Sequence, residues 1–248
     1  MKIDFIFFDL DNTLHSFSNA YKQATSETFK EINREHPNLK IEVLASAYSQ
    51  IQKKAEKRAF IDKKTSFEYR FERFNALLQH FGIDNSDFVE QAVNVYGATI
   101  EESMKPNPDV HELLSDLKQD FTLCLVSEGP SDAQRKALRI LELEQFFPKV
   151  FLSSEASQIK EDGGLFQYAL DELDCLADRV IHVGDSWRDI LGAHKTGIKV
   201  IWYNPKEAKL LEGTPEPDLE VKDIKKIKNT ILQVVEQADN FSLEEKPK

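Results

Sequence analysis

Short apolar runs recur along this chain, and each of them stops at polar residues. The first run, from Ile3 to Leu10, is apolar at both odd and even positions apart from Asp4. That pattern is typical of a strand covered on both faces, as in a parallel sheet. Similar runs lie at 121–126, 150–152, 180–183 and 200–203, with a short edge candidate at 219–221.

Amphipathic helical patterns separate the later runs. Apolar residues recur at three- and four-residue spacing in the segments 110–117, 131–141, 165–173 and 190–196. Gly197 stands where it can cap the last of these helices before the next strand. Strands that alternate with helices in this way form a parallel sheet with helices on its faces. We therefore predict an α/β protein with a Rossmann-like parallel-sheet core.

The stretch between the first and second runs breaks this alternation. It contains no convincing strand, and helical patterns occupy 18–35, 42–60, 66–81 and 86–103. Pro106 and Pro108 then discourage the last helix from continuing. We expect an all-helical cap domain at 15–104, inserted into an α/β core formed by 1–14 and 105–240. Residues 241–248 are mostly polar and charged and are expected to be a flexible tail.

Two carboxylates, Asp9 and Asp11, stand at the end of the first apolar run. Burial and mutual repulsion disfavour two like charges beside a core unless a bound cation compensates them. Further polar residues end or follow the later runs: Ser127, Lys160, Asp185 and Asp189. Because open α/β sheets bind ligands outside the carboxyl ends of their strands, we expect these side chains to converge. The pattern indicates a metal-assisted acid/base or nucleophilic site.

Composition limits the partners and the location. The formal net charge of −11 argues against general nucleic-acid binding, which depends on a basic surface. No apolar run approaches the roughly 20 residues that span a bilayer, so we expect no membrane association. The two cysteines, Cys124 and Cys175, are far apart, and no disulfide framework is expected. We therefore expect a cytoplasmic protein.

Taken in order, the polar residues resemble the four motifs of the haloacid dehalogenase (HAD) superfamily. The matching segments are Asp9-Leu-Asp11-Asn-Thr13, Ser127-Glu-Gly129, Lys160, and Gly184-Asp185-Ser-Trp-Arg-Asp189. The helical insertion after the first motif resembles a C1-type cap. The segment 184–204 resembles the ending of HAD phosphatases and pyrimidine-nucleotidase-like members. The resemblance implies a hydrolase in which a helical cap covers the α/β core.

The resemblance also implies a role for each acid. Asp9 would attack phosphorus and form an aspartyl-phosphate, while Asp11 would protonate the leaving oxygen and then activate water. Mg²⁺ would be held by Asp9, the backbone carbonyl of Asp11 and Asp185. Asp189 would complete the metal site by supporting the waters of the metal, or would orient Lys160.

The phosphoryl oxygens would be bound by Ser127, by the backbone that follows it at Glu128 and Gly129, and by Lys160. This part of the chain departs twice from the superfamily pattern. Family members usually carry Asn or Asp where Glu128 stands, and a glutamate aimed into the site would repel the phosphate. Their lysine is often followed by Pro-Asp-Pro, whereas Lys160 is followed by Glu-Asp-Gly-Gly.

One cap residue is a candidate for substrate binding. Phe67, Phe71, Phe74 and Leu78 share one stripe of the third helical segment, and Arg70 lies at the edge of that stripe. An arginine there can point into the cleft beneath the cap. The alternative is an aliphatic stem packed on the rim, with the charged group in water. Our hypothesis is that Arg70 contacts the substrate.

The expected activity is Mg²⁺-dependent hydrolysis of a small phosphorylated metabolite, such as a nucleoside monophosphate or a sugar phosphate. Three alternatives stay open. A phosphomutase of the same superfamily would share every core motif. A 2-haloacid dehalogenase would need no metal and would lack the acid at Asp11, so Asp11 argues against it. The third is a non-catalytic binding or regulatory member. Neither the substrate nor the oligomeric state follows from these motifs.

Overall fold

Six strands form the sheet that the apolar runs predict. The computed structural model describes residues 2–55 and 61–244, with the backbone alone at 55 and at 237–244. The strands are β1 (Phe5–Phe8), β2 (Thr122–Ser127), β3 (Lys149–Leu152), β4 (Val180–Gly184), β5 (Lys199–Tyr203) and β6 (Leu219–Val221). All neighbouring pairs are parallel. The predicted parallel-sheet core is therefore confirmed.

The order of the strands across the sheet is β3-β2-β1-β4-β5-β6. The chain therefore builds one half of the sheet outward from β1, crosses back, and builds the other half outward from β4. This is the order of the doubly wound Rossmann fold, in which ligands bind where the winding reverses. The reversal here lies between β1 and β4, where Phe7 pairs with His182.

Four of the five helices described between β1 and β2 form the predicted cap. They are α1 (Phe17–Glu35), α2 (Ile41–Ala55), α3 (Ser66–His80) and α4 (Ser86–Ser103). Tyr48 of α2 stacks on Phe74 of α3 at 5.1 Å between ring centroids, and Tyr96 of α4 meets Phe74 edge-on at 5.6 Å. These aromatic contacts tie three cap helices together. Residues 56–60, predicted as the end of the second helix, lie outside the described residues.

The other helices flank the sheet. They are α5 (Pro108–Leu117), α6 (Ser131–Ile140), α7 (Ser153–Ala156), α8 (Gly164–Glu172), α9 (Trp187–Thr196) and α10 (Ile227–Glu244). We did not predict α7 and α10. Gly197 ends α9 in the left-handed region with φ of 78°, as predicted. The backbone of residues 241–244 belongs to α10, and the rest of the predicted tail lies outside the described residues.

The two faces of the sheet support separate apolar cores. Ile6 and Phe8 of β1 face the larger core, which includes α5, α10 and the cap interior. Phe7 faces the other core, which is built mainly on α8 and α9. Alternate residues of β1 are thus buried on opposite sides, which explains why the first run is apolar throughout. In the part of the chain that is described, no helix combines the length and apolar character needed to cross a bilayer.

Gly192 in α9 permits a close contact that positions the loop before α8. A Cβ at Gly192 would lie 2.0 Å from the backbone oxygen of Lys160 and 2.8 Å from the ring of Phe166. Only a residue without a side chain lets α9 approach this loop so closely. The placement of Lys160 therefore depends on a glycine 32 positions later in the sequence.

We expect Gly192→Ala to lower the free energy of unfolding by about 1–3 kcal/mol, because overpacking a dense interior has that cost. The measurement is denaturant unfolding monitored by circular dichroism. His194→Ala, on the exposed side of the same helix, is the control and should leave stability nearly unchanged. Equal stability of the Gly192→Ala and His194→Ala variants would show that the loop adjusts freely.

Candidate active site

The predicted polar residues meet at the carboxyl ends of the three central strands. Asp9 follows β1, Ser127 ends β2, and Asp185 follows β4. The backbone N–H of Asp9 donates to the carbonyl of Val183 at 2.9 Å, which extends the pairing of β1 with β4. Asp9 therefore stands on a rigid strand end at the point where the winding of the sheet reverses.

Lys160 reaches this point from the loop before α8. Its ammonium lies 2.6 Å from Asp9 Oδ1 and 2.6 Å from Asp189 Oδ1. All three side chains are buried, with exposed fractions of 2% for Lys160, 6% for Asp9 and 1% for Asp189. Although burial alone would lower the pKa of Lys160, the charges of Asp189 and Asp9 raise it above its usual value. The lysine therefore stays protonated and neutralises part of the acidic cluster.

Asp189 is surrounded by hydrogen-bond donors. Its Oδ1 lies 2.8 Å from His182 Nε2 and also binds Lys160, while its Oδ2 accepts from the N–H and hydroxyl of Ser186 at 3.0 and 2.5 Å. Burial opposes ionisation, but Lys160 and His182 hold the pKa of Asp189 well below its usual range. Both oxygens are thus engaged by protein groups. These contacts favour the orienting role over direct metal ligation.

Three carboxylates come together beside Lys160. Oxygens of Asp9, Asp185 and Asp189 all lie within 4.8 Å of one another. Burial, with the nearby charges of Asp189 and Asp185, raises the pKa of Asp9 well above its usual value in spite of Lys160. Burial and the charge of Asp189 likewise raise the pKa of Asp185 to about 7. One ammonium does not compensate this cluster, and a divalent cation with oxygen ligands suits it.

Asp11 does not belong to that group of three acids and has different hydrogen-bond partners. Its Oδ1 lies 2.8 Å from His15 Nε2, and its Oδ2 accepts from Gln134 Nε2 at 3.0 Å. Asn12, with φ of 67°, turns the chain directly after Asp11, and its side chain accepts from the N–H of Ser18 at 2.8 Å. The two acids of the first motif therefore have separate environments. Our sequence analysis missed both His15 and Gln134.

Gln134 also holds Ser127. The hydroxyl of Ser127 donates to Gln134 Oε1 at 2.9 Å, so one amide spans the end of β2 and the side chain of Asp11. The N–H of Gly129 donates to Ser153 Oγ at 3.0 Å. A Cβ at Gly129 would lie 2.9 Å from Gln134 Nε2. Gly129 thus leaves the space that the side chain of Gln134 occupies.

Glu128 contacts the loop that carries Lys160. Its Oε1 accepts from the backbone N–H of Lys160 at 2.8 Å. We expected that a glutamate here could repel a phosphate if it pointed into the site. It instead accepts a hydrogen bond from the backbone of Lys160. The glutamate that departs from the superfamily pattern therefore helps to position the lysine loop. After Lys160, Asp162 Oδ1 accepts from the N–H of Gly164 at 2.8 Å, at the start of α8.

A cavity of about 390 Å³ lies between the cap and α6, with Asp11 in its wall. Arg70 of α3 lines it, together with apolar residues that include Phe17, Met104 and Ile140. The structure therefore places Arg70 in the cleft and not on the outer rim. The cap is anchored beside this cavity, because Asp132 of α6 accepts from the backbone N–H and hydroxyl of Ser66 at 2.9 and 2.7 Å.

Comparison with known proteins gives the family. Residues 6–203 match the model of the haloacid dehalogenase-like hydrolase family. The chain belongs to this family. N-acylneuraminate-9-phosphatase of Rattus norvegicus is 25% identical over 225 residues, which cover 88% of this chain and 90% of that protein. Pyrimidine 5'-nucleotidase PynA of Streptococcus pneumoniae is 28% identical over 205 residues, which cover 81% and 84%.

A solved structure agrees with this assignment. The HAD-hydrolase YfnB of Bacillus subtilis, in a crystal structure bound to magnesium, superposes with a TM-score of 0.72 at 26% identity. The match covers 94% of this chain and 100% of that one. The protein is therefore a hydrolase, and its relatives group it with the phosphoric monoester hydrolases.

The raised pKa of Asp185 predicts how stability depends on pH when divalent metal is removed. A carboxyl group with a pKa of about 7 when folded, against 3.8 ordinarily, binds its proton more tightly in the folded state. Its stabilising contribution is therefore complete below pH 4 and is lost as the pH rises to about 7. The free energy of unfolding is measured in the presence of chelator for the wild type and for Asp185→Asn. The difference, wild type minus variant, should decrease as the pH rises from 5 to 7. Parallel curves for the two proteins would contradict this assignment.

Proposed function

We propose that the protein is a Mg²⁺-dependent phosphatase that hydrolyses a small phosphate monoester through an aspartyl-phosphate on Asp9. The observation that carries this proposal is the buried Lys160 ammonium bound to both Asp9 and Asp189. A folding domain has little reason to bury three charges at a strand end, since such clusters rarely add stability. Phosphoryl transfer, in contrast, chiefly needs positioned charges of this kind.

Asp9 is the proposed nucleophile. One carboxylate oxygen would attack phosphorus while the bond from phosphorus to the ester oxygen breaks. The attacking group must be ionised, yet burial raises the pKa of Asp9. Lys160 offsets this only partly, so further positive charge is needed beside Asp9. The same lysine is placed to neutralise a phosphoryl oxygen at the strand end.

Asp11 is the proposed acid and base. It would give its proton to the departing ester oxygen, then take a proton from the water that attacks the aspartyl-phosphate and releases inorganic phosphate. A histidine nitrogen can donate to a carboxylate or accept from a protonated carboxyl group. The contact with His15 can therefore persist in both protonation states of Asp11.

The metal would be held by Asp9, Asp185 and the backbone carbonyl of Asp11, while Asp189 keeps Lys160 in place. The donor set is all oxygen, which suits Mg²⁺, and the acids lie close enough to share one ion. When bound, the ion would supply the positive charge that stabilises the phosphoryl group during transfer. Ser127 and the backbone N–H of Glu128 would bind phosphoryl oxygens. The N–H of Gly129 already donates to Ser153 Oγ, so Gly129 would contribute only the space that it leaves beside Ser127.

The substrate is proposed to be a small phosphorylated metabolite. A cavity of about 390 Å³ fits a ligand of that size, because small-molecule sites span roughly 300–1,000 Å³. Relatives named for an N-acylneuraminate 9-phosphate and for pyrimidine nucleotides support a sugar phosphate or a nucleoside monophosphate. Product analysis separates a hydrolase, which releases phosphate, from a phosphomutase, which yields a regioisomer. The acid at Asp11, held by two partners, argues against a dehalogenase.

Asp9→Asn should reduce phosphate release by about 10³-fold or more, as expected when a nucleophile is removed. The assay is phosphate release from a panel of small phosphomonoesters, with Mg²⁺ or with chelator. Asp4→Asn is a matched control, because Asp4 lies at the opposite end of the same strand and pairs with Arg179. Equal rates in the wild type and Asp9→Asn would disprove the nucleophile assignment. Inactivity of the wild type on the whole panel would favour a binding protein.

Gln134→Leu should reduce kcat by about 10- to 100-fold with a smaller change in KM, because misplacing a catalytic group by about 1 Å costs rate in that range. The reason is that Asp11 and Ser127 both lose their shared amide partner. Gln145→Leu, at an exposed glutamine, is the control. If Gln134→Leu raises KM alone, the amide serves binding and not the placement of Asp11.

A further inference from the structure

Contacts with α4 hold the guanidinium of Arg70 inside the cleft. Its central carbon lies 5.3 Å from the centroid of the Tyr96 ring, within the range of a cation–π contact. The next residue of α4, Gly97, leaves the space for it, since a Cβ there would lie 3.1 Å from Arg70 Nη1. An aromatic face and a helix backbone thus define where this cation sits.

No acid among the described side chains forms an ion pair with Arg70, and the more distant charges of Asp132 and Glu101 do not offset the effect of burial on its pKa. Within that part of the chain, no carboxylate oxygen lies within 4.0 Å of its nitrogens. The three acids of the cavity wall have other partners, and the first of them, Asp11, is held by His15 and Gln134. Asp132 accepts twice from Ser66, and Glu101 pairs with Lys136. Although burial lowers the pKa of Arg70, a guanidinium keeps its charge in proteins. A partly buried cation without a counter-ion favours an anionic ligand.

That ligand group cannot be the reacting phosphate. The phosphate site lies at the strand ends, beside Lys160 and Ser127, neither of which lines the cavity with Arg70. Arg70 belongs to the cap helix α3, whereas Asp11 marks the catalytic side of the same cavity. Part of the wall is apolar. A substrate in this cleft would therefore present phosphate at one end and a second group to Arg70.

We propose that Arg70 forms a second anion subsite, which binds a carboxylate or a second phosphate on the part of the substrate remote from the reacting phosphate. This inference rests on the proposed phosphatase function. It narrows the substrate class to phosphate monoesters that carry another anionic group. Neutral nucleosides and neutral sugars would leave Arg70 without an ion-pair partner. The fork of donors on a guanidinium suits the paired oxygens of either anion.

The test compares linear alkyl phosphates of three to eight carbons that differ only at the far end. One series ends in a carboxylate, a second in a phosphate, and a third in a neutral carboxamide of nearly the same shape as the carboxylate. The kcat/KM of each is measured for the wild type, Arg70→Gln, Arg70→Lys and Arg73→Gln. Arg73 lies on the same helix, and its Nε donates to the carbonyl of Tyr69 at 3.2 Å. It does not line the cavity, so it is the matched control.

At one or more chain lengths, the wild type should prefer an anionic end over the carboxamide by about 10- to 100-fold, the range of a charged hydrogen-bonded pair. Arg70→Gln should bring this ratio close to one, Arg70→Lys should keep part of it, and Arg73→Gln should keep it. Whichever anionic series has the larger kcat/KM relative to the carboxamide identifies whether the subsite prefers a carboxylate or a phosphate. The subsite is disproved if no chain length shows a preference, or if Arg70→Gln retains it.

Binding measurements separate this inference from the proposed function. If the wild type hydrolyses none of the compounds, the phosphatase proposal fails. Titration calorimetry with the matching alkyl phosphonates then tests the subsite independently, because it measures binding without hydrolysis. Tighter binding of the carboxylate than of the carboxamide, lost in Arg70→Gln, would support it. Equal binding of the two compounds would overturn it.

Discussion

The rest of the site depends on the contacts of the buried Lys160 ammonium with two carboxylates. The ammonium lies between Asp9 and Asp189, and both contacts are 2.6 Å long. A lone charge in such a place is unfavourable by several kcal/mol, so each of the three groups requires the other two. Several unrelated parts of the chain serve this arrangement. Glu128 holds the backbone of Lys160, Gly192 gives its loop room, and the start of α9 fixes Asp189.

The two acids of the first motif differ because their neighbours differ. Asp9 faces a lysine and two further carboxylates, in surroundings where the balance of charge decides its ionisation. Asp11 is held by His15 and Gln134, two groups that suit either state of a proton donor. Asn12 turns the backbone directly after Asp11. A separation of two residues therefore suffices to place the proposed nucleophile and the proposed acid in unlike environments.

Much of the fold could be predicted because burial on both faces leaves a strong signature. Each interior strand is a short apolar run, and its polar ending marks the edge of the sheet where the site forms. The helix α10 was predictable in principle, since Ile227, Ile231 and Val234 recur at helical spacing and are buried, but we did not identify it. The two short strands at the sheet edges followed from the same apolar signal.

Other features could not be predicted because they arise from contacts between distant segments. Gln134 meets Asp11 across 123 positions of sequence, and no local pattern marks it as a partner. His182 lies within an apolar run, and its contact with Asp189 exists only once α9 is folded against β4. Likewise, the donors that occupy both oxygens of Asp189 come from tertiary structure. The sequence alone therefore left its two roles equally open.

The helix α6 contacts both the cap and the first motif. Asp132 in its first turn holds the end of the cap helix that carries Arg70, and Gln134 holds Asp11. Both residues belong to one helix of ten residues. With the roles proposed for Arg70 and Asp11, a small tilt of α6 would shift substrate recognition and proton delivery together. Natural variants that broaden selectivity by loosening α6 would tend to become slower, so specificity and speed are expected to evolve as linked traits in this enzyme.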